Sequence, residues 1–176
     1  MLHRMLVVIV ALIIPATAAA VPKGVPLWEG AQTGMALQRV LALFPEARQV
    51  EPTQKDPNQI DLRGKQRARI PQLEIGGDPY EAQFFFKEGL YRVVLEMTSA
   101  EGVPFSQGLE LTRKVRGALS DKYGEPAKKQ SSNDGYMVSW RNGPTAIDLV
   151  VITKSYKVKA FKIVYQPAET ADPATD

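Results

Sequence analysis

Past its third residue, this sequence can do chemistry only with carboxylates, hydroxyls, lysines and arginines, because its one histidine is His3 and it contains no cysteine. Serine–histidine–aspartate and cysteine–histidine relays are therefore out of reach. So are zinc sites built on His and Cys, and haem ligated by either residue. Of the carboxylates, Glu74, Asp78 and Glu81 gather around Gly76-Gly77. Glycoside hydrolysis needs two such groups about 5–10 Å apart across a cleft, whereas acids beside a Gly-Gly pair read first as ordinary turn residues. No serine stands three residues before a lysine, Ser131-Ser132-Asn133 has no catalytic companion, and no phosphate-binding glycine loop is present. Packing Phe84, Phe86, Leu95, Trp140, Leu149 and Phe161 leaves little volume for the buried charged pair that non-histidine catalysis needs. The sequence thus predicts a protein that is not an enzyme and takes no cofactor or metal.

Binding chemistry is better represented. Arg63, Lys65, Arg67 and Arg69 form the densest basic stretch and would suit anionic lipid head groups or an envelope polymer. A solvated loop, or an edge strand guarded by charge, is the plainer reading. Lys154, Lys157, Lys159 and Lys162 form a second run, divided by strand periodicity between two faces. Phe84 and Phe86 read as core and Phe85 as half exposed or covered by a neighbouring strand. Trp140 reads as core, and Trp28 either as a staple for the first helix or as an exposed anchor.

The N-terminus bounds where these groups work. Residues 1–20 combine His3 and Arg4, an apolar run from Met5 to Ile14, Pro15 and small residues up to Ala20, the pattern of a cleaved signal peptide. The run is too short to span a bilayer. Cleavage after Ala18 or Ala20 predicts a periplasmic or secreted protein that is not integral to the membrane. Export and the small basic surplus (22 basic and 19 acidic residues before cleavage) speak against nucleic acid as a partner. The absence of cysteine removes a disulfide framework and lipid anchoring.

The elements that must position these residues follow from periodicity. Thr33 is a candidate N-cap for a helix in which Leu37, Val40, Leu41 and Phe44 share a face and which Pro45 ends. Strands are expected over 59–63, 69–75, 80–86 and 90–97. Ala82, Phe84 and Phe86 oppose Glu81 and Gln83, and Gly89 is expected to supply positive φ in a hairpin loop. Ser106 is the candidate cap of a second helix, with Leu111, Val115, Ala118 and Leu119 on one face and a stop at Gly124. Strands follow over 128–131, 136–141, 146–153 and 158–165, punctuated by Asn133-Asp134-Gly135 and Asn142-Gly143. An acidic, disordered tail is expected from Gln166 on.

Helix, four strands, helix, four strands is an internal repeat of element order. With the Phe44-Pro45 and Tyr123-Gly124-Glu125-Pro126 stops, it resembles the tandem helix-plus-sheet domain of the β-lactamase inhibitor protein family. The single unit is also similar to the small outer-membrane assembly lipoprotein family, here without that family's lipidated Cys. The expected fold is α+β: two tandem helix-then-antiparallel-sheet units, 21–103 and 104–166, with helices on one sheet face and a tail over 167–176. The expected role is a non-enzymatic binding protein that presents its open sheet face, including Arg92, Ser139 and Arg141, to an envelope protein. The alternative is an anionic lipid or polymer bound through Arg63 to Arg69.

Overall fold

A computed structural model describes residues 24–51, 60–61 and 64–168. The segment expected to be a signal peptide, Arg63 and the residues from 169 on lie outside the described residues. The chain is α+β. Its elements are α1 (Leu37–Leu43), β1 (Arg48–Gln49), β2 (Ile60–Asp61), β3 (Gly64–Ile75), β4 (Asp78–Phe86), β5 (Leu90–Met97), α2 (Phe105–Tyr123), β6 (Lys128–Ser132), β7 (Gly135–Asn142), β8 (Thr145–Lys154) and β9 (Lys157–Pro167). The strands form one antiparallel sheet in the order β1-β3-β4-β5-β9-β8-β7-β6, with β2 also paired to β3.

Two-residue alternation builds the sheet. Tyr80, Ala82 and Phe84 on β4 stand opposite Met97, Leu95 and Val93 on β5, all buried on one face. Ile147, Leu149 and Val151 on β8 continue that face, opposite Tyr165, Ile163 and Phe161 on β9. An apolar sheet face needs a cover, which the helices supply. α1 packs on β3, and α2 on β7, β8 and β9. In α2, Gly108, Thr112, Val115 and Leu119 point inward, the spacing of a single helical stripe. A Cβ at Gly108 would run into Val158, so α2 presses its backbone against β9. The helix ends at Gly124, whose φ of 83° suits glycine and whose carbonyl accepts the Trp140 indole N–H at 3.0 Å.

Several sequence expectations need correction. Thr33 does not cap α1. The helix starts three residues later, after Ala36, and Thr33 is buried with its hydroxyl accepting from Val25 N–H at 3.0 Å. The hydroxyl goes to the leader loop because Gly34 and Met35 are held elsewhere, by hydrogen bonds to Leu90 across the β4–β5 hairpin. Ser106 is likewise not a cap, since α2 begins after Pro104. Gly89 does not carry positive φ; its lack of a side chain serves close packing, since a Cβ there would stand 2.7 Å from Gly34 Cα and O. The final strand overruns the expected start of the tail: β9 continues through Pro167, and the Ala168 N–H donates to Pro144 O at 2.8 Å.

Candidate functional site

The helices cover opposite ends of the sheet, α1 over β3 and α2 over β7 to β9, and the strip between them is a cleft of about 760 Å³. Its narrow floor is Tyr80, Leu95, Ile163 and Tyr165, all nearly closed to water. Trp28 and Phe44 form one wall, stacked at 5.4 Å between ring centroids with 15° between planes. Phe44 in turn meets Phe84 at 5.2 Å, so Trp28 is a staple between leader, helix and sheet. Val115, Ala118 and Leu119 of α2 form the other wall, and the β3–β4 hairpin crosses one end. The expectation that packing leaves little volume for a buried charged pair did not foresee this cleft. The cause is helix length: α1 spans seven residues and does not reach across the central strands.

Charge is concentrated at the mouth. Glu29, Glu46, Glu74 and Asp78 contribute acids and Lys114 and Lys122 contribute bases. Lys114 Nζ donates to Asp78 Oδ2 at 2.8 Å and to Gly76 O at 3.1 Å, which latches α2 to the hairpin turn. With that pair offsetting each other, three carboxylates face one lysine, and the rim is acidic. Burial pushes the Tyr80 phenol above its usual range, helped by Asp78. Tyr165 is raised too, by burial first and then by Tyr123, through charge and a hydrogen bond. Both phenols are neutral through the physiological range, so the floor carries no charge. Glu74 and Asp78 thus share a site, but Glu81 is on the opposite sheet face, 3.5 Å from Arg69.

That opposite face is where most of the expected binding residues lie. Gln83 Nε2 donates to Glu81 and to Glu96, each at 3.1 Å, and Lys162 reaches Glu96 at 3.3 Å. Gln166 Nε2 donates to Asp148 Oδ2 at 2.9 Å. Beneath this lattice Phe85, Val94 and Val164 form a small buried cluster. Arg92 is half-buried rather than exposed because its guanidinium stacks on Phe85, 5.2 Å from the ring centroid. Burial lowers its pKa and Asp148 opposes that shift. Ser139 is also half-buried, while Arg141 is exposed on β7. Of the basic stretch, Lys65 is exposed near the start of β3, Arg67 is half-buried where the β3–β4 register slips, and Arg69 is paired with Glu81.

A second, smaller cleft of about 370 Å³ lies on the other flank of α2, between that helix and the β6–β7 hairpin, with Arg113, Arg116, Ser131 and Ser132 along it. Among the described residues no group of His, Cys, Asp and Glu is placed to hold a metal, and no helix is long and apolar enough to cross a membrane. No family model matches this chain, and no curated protein or solved structure matches it. Sequence reasoning left Trp28 between staple and exposed anchor, and missed Phe44, Lys114 and Lys122 as site residues. The only signal for them was the shortness of the first helix relative to the second.

Proposed function

We propose that this chain is an exported, non-enzymatic binding protein of the cell envelope, whose protein partner places a basic segment with one apolar anchor side chain in the cleft between α1 and α2. The cleft carries this reading: a narrow apolar floor and an aromatic wall would receive an aliphatic or aromatic side chain, and the acidic rim would favour cationic neighbours. A concave apolar pocket ringed by charge is the arrangement that concentrates binding energy in a few anchors. The non-enzymatic part is supported by the rim itself, where Glu29, Glu46 and Glu74 are exposed to water and Asp78 is engaged by Lys114.

We also propose that 21–103 and 104–166 are tandem helix-plus-sheet units. The strand order supports it, since β1-β3-β4-β5 and β6-β7-β8-β9 each run from an edge to the centre and meet at the β5–β9 pair. A second binding reading, the open sheet face, has the buried Phe85, Val94 and Val164 cluster in its favour; a partner would have to displace Arg92 to reach it. Anionic binding through residues 63–69 has less support, because Arg69 is already paired.

Titration with a lysine-rich amphipathic peptide bearing one phenylalanine, and with its glutamate-rich counterpart, tests the cleft through Trp28 fluorescence. The lysine-rich peptide should give a saturable change that is lost in Glu46→Lys/Glu74→Lys and in Trp28→Phe. Equal responses to both peptides, or an undiminished response in the charge-reversed variant, would exclude the cleft as a site for a basic segment.

A further inference from the structure

The turn that joins β8 to β9 is built against the local rules. Ser155 and Tyr156 hold φ of 53° and 59°, the left-handed region that two-residue hairpin turns demand and that Asn and Gly normally fill. Neither residue is glycine, and Tyr156 is 89% exposed, so packing does not compensate for its conformation. A side chain kept at a strained position without burial points to a role outside the fold.

Its surroundings say which. Five large apolar residues are exposed among the described residues; Phe105, Leu109 and Tyr156 lie at this end on the α2 side of the sheet, while Ile152 is on the opposite face with Val150. The Phe105 N–H donates to Tyr156 O at 2.9 Å, and Leu109 follows one helical turn later on α2. Lys154 and Lys157 face each other across the turn, and Lys159 stands at the bulge where the β8–β9 register slips; all three are exposed. Arg113 lies on the α2 flank of the same end. Asp134, whose carbonyl accepts from Thr153 N–H, Glu101, beside the Gly102 that donates to Val158 O, and Glu110 on α2 are the acids of the adjoining segments, three against the four basic groups. The lysines of this second run thus do come together with apolar side chains, while Lys162 is diverted to Glu96.

We propose that this tip, Tyr156 with Phe105 and Leu109 beside Lys154, Lys157 and Lys159, is a contact surface for anionic phospholipid membranes. Tyrosine suits the headgroup layer, where one end of the ring is wet and the other apolar. Apolar insertion combined with basic charge is the pair of signals that peripheral attachment requires. The tip is separate from the α1–α2 cleft and stands or falls without it.

Flotation of the full chain with phosphatidylcholine vesicles, and with vesicles also containing phosphatidylglycerol, tests the assignment. The wild type should float with the anionic vesicles and not with the neutral ones, and high salt should release it. Lys154→Ala/Lys157→Ala should weaken binding about thirtyfold, from about 1 kcal/mol for each lysine. Tyr156→Gly should weaken it roughly tenfold while melting at or above the wild-type temperature, since glycine relieves the turn. Leu43→Ser, at an exposed apolar residue outside the cluster, should bind as the wild type does. Failure to float with anionic vesicles, equal binding to neutral ones, or wild-type binding by both tip variants would overturn the proposal.

Discussion

Replacing Phe44 with alanine should loosen the wall of the cleft by an amount that its surroundings set. The ring is 7% exposed and sits between Trp28 at 5.4 Å and Phe84 at 5.2 Å. Truncating a buried phenylalanine costs about 3–5 kcal/mol, the upper end applying when a dry cavity is left. Phe44 borders the cleft, so water can occupy the void, and the cost should fall near the lower end, about 3 kcal/mol. For a domain of this size each kcal/mol moves the melting temperature by about 2–4 °C, giving a fall of about 6–12 °C. Thermal unfolding by circular dichroism measures it. A cycle with Trp28→Ala and the double variant should recover about 0.5–1.5 kcal/mol of coupling from the stacked pair. A melting shift under about 2 °C, or strictly additive losses, would refute the stapling of the leader to α1 and the sheet.

Gly89→Ala should be more disruptive than an ordinary glycine substitution, because the new Cβ meets the Gly34 backbone rather than a movable side chain. A melting temperature within a degree of wild type would show that this close approach is not required. Above about pH 10 stability should fall, since folded Tyr80 and Tyr165 keep protons that the unfolded chain releases. The raised folded pKa values make the sign negative: the contribution is complete below pH 10 and lost as pH rises, at about 1.4 kcal/mol per pH unit for each proton retained. Tyr165→Phe should flatten the alkaline limb of a denaturant-midpoint profile, and an unchanged limb would count against the assignment. Limited proteolysis should spare residues 99–104, because Gly102 N–H donates to Val158 O, Val158 N–H donates to Val103 O, and Pro104 bridges to Lys157. Early cutting there would show that this linker is not stitched to β9.

The hairpins were legible because local chemistry determines them. Asn142-Gly143 marks its turn and Gly143 takes a φ of 58°, and the alternation of Ala82, Phe84 and Phe86 survives in the β4 burial pattern. Interactions between distant segments were not legible. Thr33 looks like a cap until Val25 is seen to claim its hydroxyl, and Gly89 looks like a turn glycine until Gly34 is brought against it. The two-residue β1 is too short to leave a period, and its pairing with β3 exists only in the assembled sheet. The cleft was hidden for the same reason: each residue in it reads correctly as core or surface, and the gap arises from where two helices of unequal length land on the sheet. The β8–β9 turn was obscured because Ser155-Tyr156 carries none of the residues by which such turns announce themselves.

The proposed partner enters between the helices and not onto the open sheet face. The chain has no cysteine of its own, so a photo-crosslinker can be attached to a single cysteine placed at Ala118, which lines the cleft, or at Ser139, on the opposite face. The measurement is the adduct yield from each position in envelope extract, with and without Glu46→Lys/Glu74→Lys. A discrete adduct from Ala118 that the charge reversal abolishes, and none from Ser139, is expected. An adduct from Ser139 with none from Ala118 would contradict the proposal and place the partner on the open face.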